Sequence, residues 1–158
     1  MKKLILLCSV VFLMASCSVS KEARAKRNLL SGTWSLDNIA FENNTTNVKA
    51  VLFNDVEDIC LEGSDWFFRD NNSTGRYTIS PSTLCNGGPR YIRWSVVERE
   101  NGSSQLQFKF INEKNQDISG GAGYRLDIES LTEYVMTLKS NAMVDGKSVN
   151  VLYEFSKK

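Results

Sequence analysis

The chain has 158 residues with 19 basic and 18 acidic side chains, so its net charge is close to zero. Nucleic-acid binding requires clustered lysines and arginines, and no basic stripe runs through this sequence. The sequence also contains no histidine, which excludes Ser-His-Asp and Cys-His catalytic arrangements. We therefore expect no nucleic-acid partner, no metal, no cofactor and no catalytic residue.

Residues 1–16 have the pattern of a secretory signal peptide. Basic Lys2 and Lys3 are followed by an uncharged apolar run from residue 4 to residue 15. About 12 apolar residues are too few to cross a hydrocarbon core, which requires about 20. The pattern therefore predicts export of the rest of the chain.

The end of this segment, Met14-Ala15-Ser16-Cys17, resembles the lipobox of bacterial lipoproteins. The resemblance implies cleavage before Cys17, diacylglycerol on its thiol and acylation of the new amino group. Each buried lipid methylene contributes about 0.8 kcal/mol, so several acyl chains would anchor the protein firmly without spanning the membrane. The alternative is an ordinary signal peptide cut near Ala15 or Ser16.

The mature chain then divides into a lipidated tether, residues 17–28, and one domain, residues 29–158. The tether is polar and contains the basic cluster of residues 21–27, so we expect it to be flexible. Ser18 directly after the lipidated cysteine is compatible with sorting to the outer membrane. We expect the periplasmic face of that membrane, with surface exposure as the alternative.

Two of the four cysteines remain for the folded domain, Cys60 and Cys85. An exported domain lies in a compartment where disulfides persist, so we predict that these two residues pair. Closing a loop of about 25 residues stabilises a fold by roughly 3 kcal/mol in the chain-entropy estimate.

From Leu29 onward, apolar residues alternate with polar ones in short segments that are separated by turn residues. A period of two is typical of strands with one buried face. The pattern predicts eight strands, at residues 33–41, 65–69, 76–80, 91–98, 105–110, 124–129, 134–138 and 149–155. One segment, residues 47–59, has apolar side chains at helical spacing instead, which predicts a short amphipathic helix after the first strand.

An all-β chain with eight antiparallel strands of this length favours an up-and-down barrel, and a two-sheet sandwich is the second choice. Gly32-Thr33-Trp34, at the start of the first strand, looks like the G-x-W motif of lipocalins. In that family the tryptophan packs across the closed end of the barrel, which implies a structural role for Gly32 and Trp34.

Nearly the whole mature domain resembles the lipocalin-like lipoproteins of Bacteroidetes-type bacteria. The stretches that carry the resemblance are 30–36, 60–66 with Gly75-Arg76-Tyr77, Ile92-Arg93-Trp94, and Gly123-Tyr124-Arg125-Leu126. It implies a lipocalin-like eight-stranded barrel. Unlike in classical lipocalins, the predicted helix follows the first strand instead of lying near the C-terminus.

A barrel of eight strands is just wide enough to be filled by side chains or to hold one small ligand. An aromatic lining suits a hydrophobic or amphipathic ligand, with tyrosine hydroxyls supplying direction. The candidate lining residues are Trp66, Phe68, Tyr77, Trp94, Phe108, Phe110, Tyr124, Tyr134, Met136 and Tyr153. Arg76, Arg93 and Arg125 could hold a ligand carboxylate or stack on Trp34, but alternation favours an outward, solvated position for Arg93 and Arg125.

Two functions from different classes remain open at this point. The first is a membrane-anchored carrier or scavenger of a small hydrophobic ligand in the cell envelope. The second is a packed barrel that serves as an interaction module of an envelope protein complex and has no small-molecule ligand. A sizeable cavity favours the first function, and a filled barrel with an exposed apolar patch favours the second.

Overall fold

The computed structural model describes residues 20–42, 49–144 and 146–158. Its main element is a closed antiparallel barrel of eight strands, in which each strand pairs with its neighbours along the chain and the last pairs with the first. The barrel strands are β1 (Gly32–Phe41), β4 (Asp65–Phe68), β5 (Thr74–Ile79), β6 (Gly88–Glu98), β7 (Ser104–Ile111), β8 (Tyr124–Leu131), β9 (Val135–Val144) and β10 (Lys147–Lys157). The predicted up-and-down barrel of eight strands is confirmed, and each predicted strand overlaps one of these.

Helix α1 (Lys21–Leu30) precedes the barrel. The Ser20 hydroxyl caps it by accepting a hydrogen bond from the backbone N–H of Ala23 at 3.0 Å, and Ala23 and Leu30 face inward and are buried. The expectation of a flexible tether through residue 28 is therefore wrong for residues 21–28. Ala23 and Leu30 are two turns apart and give the helix an apolar contact with the barrel. The sequence does not show this contact clearly, because most residues around these two are charged or polar. The predicted signal peptide and Cys17 lie outside the described residues.

We call the end of the barrel beneath α1 the helix end, where β1 begins and β10 finishes. Trp34 is fully buried there, and its indole N–H donates to the Leu30 carbonyl at 2.7 Å. The ammonium of Lys157 lies 4.9 Å from the centroid of the Trp34 ring, so a lysine takes the stacking place considered for an arginine. Gly32 has φ +118°, a value that favours glycine, and it lets the chain turn from α1 into β1.

A second assembly covers the opposite end, which we call the hairpin end. It consists of the two-residue strands β2 (Val51–Leu52) and β3 (Val56–Glu57), which pair with each other, and of helix α2 (Asp58–Leu61). The predicted short helix after the first strand is confirmed by α2, but its predicted range is wrong. Phe53 and Asn54 have φ of 55° and 50°, which a right-handed helix does not allow, so residues 51–57 turn back as a hairpin.

The predicted disulfide is present between Cys60 and Cys85, whose Cα atoms lie 5.4 Å apart. It joins α2 to the loop between β5 and β6. The hairpin assembly is therefore covalently fixed to the rim of the barrel at this end.

Candidate functional site

The side chain of Phe53 projects from the tip of the β2–β3 hairpin into the mouth of the barrel. Its ring contacts four aromatic rings from four different strands, at centroid distances between 5.1 and 6.1 Å, namely Trp66, Phe108, Tyr124 and Tyr153. Phe53 is only 7% exposed. The hairpin therefore closes much of this end of the barrel with an aromatic plug.

Asp55, at the base of the same turn, holds the hairpin to the barrel rim. Its carboxylate accepts a hydrogen bond from the Tyr77 hydroxyl at 2.6 Å and forms an ion pair with Arg90 at 3.1 Å. Burial and the bond to Asp55 both raise the pKa of Tyr77 well above its usual value, which keeps the phenol protonated as the donor. The Tyr124 hydroxyl donates to the carbonyl of Phe53 and gives the hairpin a further polar attachment.

The barrel wall has a gap beside this plug, between β8 and β9. These strands pair from Leu131 and Met136 only as far as Asp127 and Lys139. Beyond that point Tyr124, Arg125 and Leu126 pair only with β7, while residues 140–144 pair only with β10. The two strands thus separate as they approach the hairpin end.

A pocket of about 950 Å³ lies at this gap, and its lining divides into two groups. The first belongs to the barrel interior and the plug, and it includes Phe53, Tyr124, Ser140, Ala142 and Tyr153. The second stands on the outer surface of β6, β7 and β8, and it includes Arg93, Ser95, Gln107, Lys109 and Arg125. One pocket therefore connects the mouth of the barrel with a polar, cationic outer surface.

Tyr153 supplies a hydroxyl on the inner side of the pocket. Its oxygen lies 3.0 Å from the Ser140 hydroxyl, and its ring stacks on Phe53 with centroids 5.5 Å apart. Burial raises the pKa of Tyr153 to about 12, so the phenol is neutral at physiological pH. This part of the pocket is apolar and aromatic, with the hydroxyl groups of Tyr124, Ser140 and Tyr153.

The outer side of the pocket is positively charged. Lys109 is already paired with Asp117 at 2.6 Å, and this bond together with those from Ser119 holds the pKa of the Asp117 carboxyl far below its usual range. Arg93 donates to the backbone carbonyl of Asn115 at 3.2 Å. Among the described residues, neither Arg93 nor Arg125 forms an ion pair with a carboxylate.

The structure separates the ten candidate lining residues into three groups. Trp94, Phe108, Tyr124 and Tyr153 line the pocket. Another five belong to the aromatic and apolar packing of the barrel interior and do not line it: Trp66, Phe68, Tyr77, Phe110 and Met136. Tyr134 is 74% exposed, so its assignment to the interior is wrong; β9 begins only at Val135, and Tyr134 belongs to the preceding turn.

A family model described as a lipocalin-like domain matches residues 30–144. The chain belongs to this lipocalin-like family. No curated protein matches the chain significantly. Within the three described ranges, no helix is long and apolar enough to cross a membrane. The same ranges contain no group of three or more His, Cys, Asp or Glu side chains that could hold a metal ion.

Solved structures similar to this lipocalin-like chain include forms of bovine odorant-binding protein. Its deswapped triple mutant is 13% identical with a TM-score of 0.42, over 82% of this chain and 74% of that one. Its complex with a selenium-containing odorant is 14% identical with a TM-score of 0.42, over 89% of this chain and 78% of that one. Its complex with undecanal is 14% identical with a TM-score of 0.41, over 89% of this chain and 76% of that one.

Sequence reasoning missed the parts of the lipocalin-like site that come from the hairpin and from β9. Phe53, Ser140 and Ala142 were not candidates, although all three line the pocket. The signal for the hairpin was available in Asn54-Asp55, a turn-favouring pair between apolar Leu52-Phe53 and Val56. No local signal marks Ser140 and Ala142, because their exposure to the pocket depends on where β8 stops pairing with β9.

Proposed function

We propose that this lipocalin-like protein binds a small hydrophobic or amphipathic ligand in the cell envelope, while a lipid on Cys17 anchors it to the outer membrane. The observation that supports ligand binding is the pocket of about 950 Å³ at the gap between β8 and β9. Its volume lies in the range of small-molecule sites, and its inner part combines aromatic rings with a few hydroxyl groups. The lipobox-like stretch that ends at Cys17 supports the anchor, and we place the domain on the periplasmic face.

Native mass spectrometry of the full chain, released from membranes with a mild detergent, tests ligand binding. We expect a small molecule to co-purify, or added decanol to bind. Ala142→Trp places a large ring in the pocket from the inner face of β9 and should reduce the bound fraction strongly. Val135→Trp adds the same ring to an exposed position at the other end of β9 and should leave binding unchanged.

The packed interaction module is the second candidate, because rings already fill most of the barrel interior. Trp66 stacks on Tyr77 with centroids 4.6 Å apart, and Phe53 occupies the space between Trp66 and three further rings. If the native mass equals that of the protein alone and the unaltered chain does not bind decanol, the interaction module is favoured over the carrier.

The intact mass of the full chain, produced in a bacterium that processes lipoproteins, tests the anchor separately. We expect residues 1–16 to be removed and acyl groups to be present on the new N-terminus. Cys17→Ser should abolish the acylation, whereas Cys8→Ser, within the predicted signal peptide, should leave it intact. Acylation that survives in the Cys17→Ser variant would overturn the anchor.

A further inference from the structure

The β8–β9 pocket joins an apolar interior to an outer surface on which Arg93 and Arg125 form no ion pair with any carboxylate that the structure describes. The register brings three cations to three neighbouring strands: Arg93 on β6 lies opposite Lys109 on β7, and Arg125 on β8 lies opposite Gln107 on β7. All four of these residues line the pocket. Two strand spacings of about 4.8 Å separate β6 from β8, so the long side chains of Arg93 and Arg125 can converge above β7 on one small group.

Two of the described acidic side chains near this surface, Asp117 and Asp127, are already paired. Asp117 pairs with Lys109 at 2.6 Å, and Asp127 pairs with Arg99 at 2.9 Å and accepts a hydrogen bond from Gln105 at 2.8 Å. Arg93 and Arg125 therefore give this surface an excess of positive charge. Gly121, Ala122 and Gly123 border the same pocket and leave room there because they carry little or no side chain.

Among the residues that the structure describes, the inner side of the pocket carries no cation. It is built from Phe53, Ala142 and Tyr153, with neutral hydroxyls on Tyr153 and Ser140. Transfer of a charged group from water into such surroundings is unfavourable, whereas transfer of an alkyl chain is favourable. The two sides of the pocket thus favour opposite ends of one amphipathic molecule.

We infer that the ligand is an anionic amphiphile, bound with its alkyl chain through the β8–β9 gap and its anionic head group on Arg93 and Arg125 outside the barrel wall. This inference rests on the proposed ligand-binding function and adds the ligand's charge, its orientation and its route of entry. Arginine suits the role because its planar group donates paired hydrogen bonds to a carboxylate or a phosphate.

The test compares three probes that share a ten-carbon chain and differ in head group: decanoate, decanol and decyltrimethylammonium. Native mass spectrometry of the detergent-purified full chain reads the bound fraction of each probe from the same sample. We expect decanoate to bind more than decanol, and decyltrimethylammonium to bind least. The preference for decanoate should shrink at high salt, because the head group is partly exposed to solvent.

The double variant Arg93→Gln and Arg125→Gln should reduce decanoate binding about tenfold and leave decanol binding unchanged, since partly exposed ion pairs contribute modestly and two are lost. Arg76→Gln is the matched control, because Arg76 stands over Phe67, away from this pocket. Both arginines are exposed, and the thermal unfolding midpoint should show that the double variant folds normally.

The outcomes separate the two proposals. One outcome is that decanol binds, that Ala142→Trp abolishes this binding, and that decanoate shows no preference over decanol. This result would overturn the inference of an anionic head group and leave the proposed function standing. Decanoate binding that is unaffected by the double variant would overturn the role of the two arginines. Failure of all three probes to bind the unaltered chain would overturn both the inference and the carrier function.

Discussion

The ring of Phe53 stacks on the ring of Tyr153 inside the barrel mouth, with centroids 5.5 Å apart and planes inclined by 22°. The two residues are 100 positions apart in the sequence and belong to different parts of the fold, the β2–β3 hairpin and β10. Their contact joins the plug to the inner wall of the pocket. The size of the pocket therefore depends on the position of the hairpin.

Phe53→Ala should destabilise the protein and enlarge the pocket at the same time. Removing a buried phenylalanine side chain costs about 3 kcal/mol of unfolding free energy, because contacts with four rings are lost. Decanol binding should increase, since the vacated volume adjoins Tyr153 and Ala142. Urea unfolding and native mass spectrometry measure the two effects, and Phe67→Ala on the outer face of β4 is the control. Decreased decanol binding in a folded Phe53→Ala variant would show that the ring is a ligand contact and not a plug.

Removing the Cys60–Cys85 disulfide should destabilise the protein by roughly 3 kcal/mol, because the bond closes a loop with a sequence separation of 25. The double variant Cys60→Ser and Cys85→Ser should show this loss in urea unfolding. Adding a reductant should lower the stability of the unaltered chain to a similar level and have no effect on the variant. An unchanged unfolding midpoint after complete reduction would contradict the expected contribution.

Leu30→Ala should destabilise the barrel by about 3 kcal/mol, because Leu30 is fully buried between α1 and the helix end. Leu29→Ala, at a partly exposed neighbouring position, should cost much less. Chemical unfolding followed by tryptophan fluorescence measures both variants, since Trp34 lies directly beside α1. Equal and small effects would show that α1 belongs to the tether and contributes little to the folded domain.

Alkaline pH should destabilise the fold from about pH 10 upward. The pKa of Tyr153 is raised to about 12 by burial, and that of Tyr77 is raised further, whereas an unfolded tyrosine ionises near 10. Above pH 10 the unfolded chain releases protons that the folded chain retains, so the unfolding free energy falls as pH rises. Below pH 10 both tyrosines are protonated in the folded and the unfolded chain, so they should add no pH dependence to the unfolding free energy.

Absorbance of tyrosinate during an alkaline titration checks this prediction. Fewer than the five tyrosines of the chain should ionise reversibly in the folded protein, and the rest should ionise only as circular dichroism reports unfolding. Tyr153→Phe should remove part of the alkaline destabilisation. Reversible ionisation of all five tyrosines near pH 10 in the folded state would contradict it.

The sequence by itself determined the elements whose signals are local. The period-two alternation located all eight barrel strands, because each strand buries one face. Gly32-Thr33-Trp34 located the beginning of β1, and the expected export of the chain led to the pairing of Cys60 with Cys85. The helical spacing of apolar residues was misleading at residues 51–57. Phe53 and Asn54 have positive φ values there, and the segment forms a hairpin instead of a helix.

Only the tertiary structure decided which aromatic residues fill the barrel and which surround the pocket. Trp66 and Tyr153 are both inward-facing aromatics, yet only Tyr153 borders the pocket, because β8 and β9 separate beyond Asp127 and Lys139. That separation brings Ala142 on the inside and Arg125 on the outside to one opening. Strand pairing and ring packing between distant segments set this geometry, and no short stretch of sequence specifies either of them.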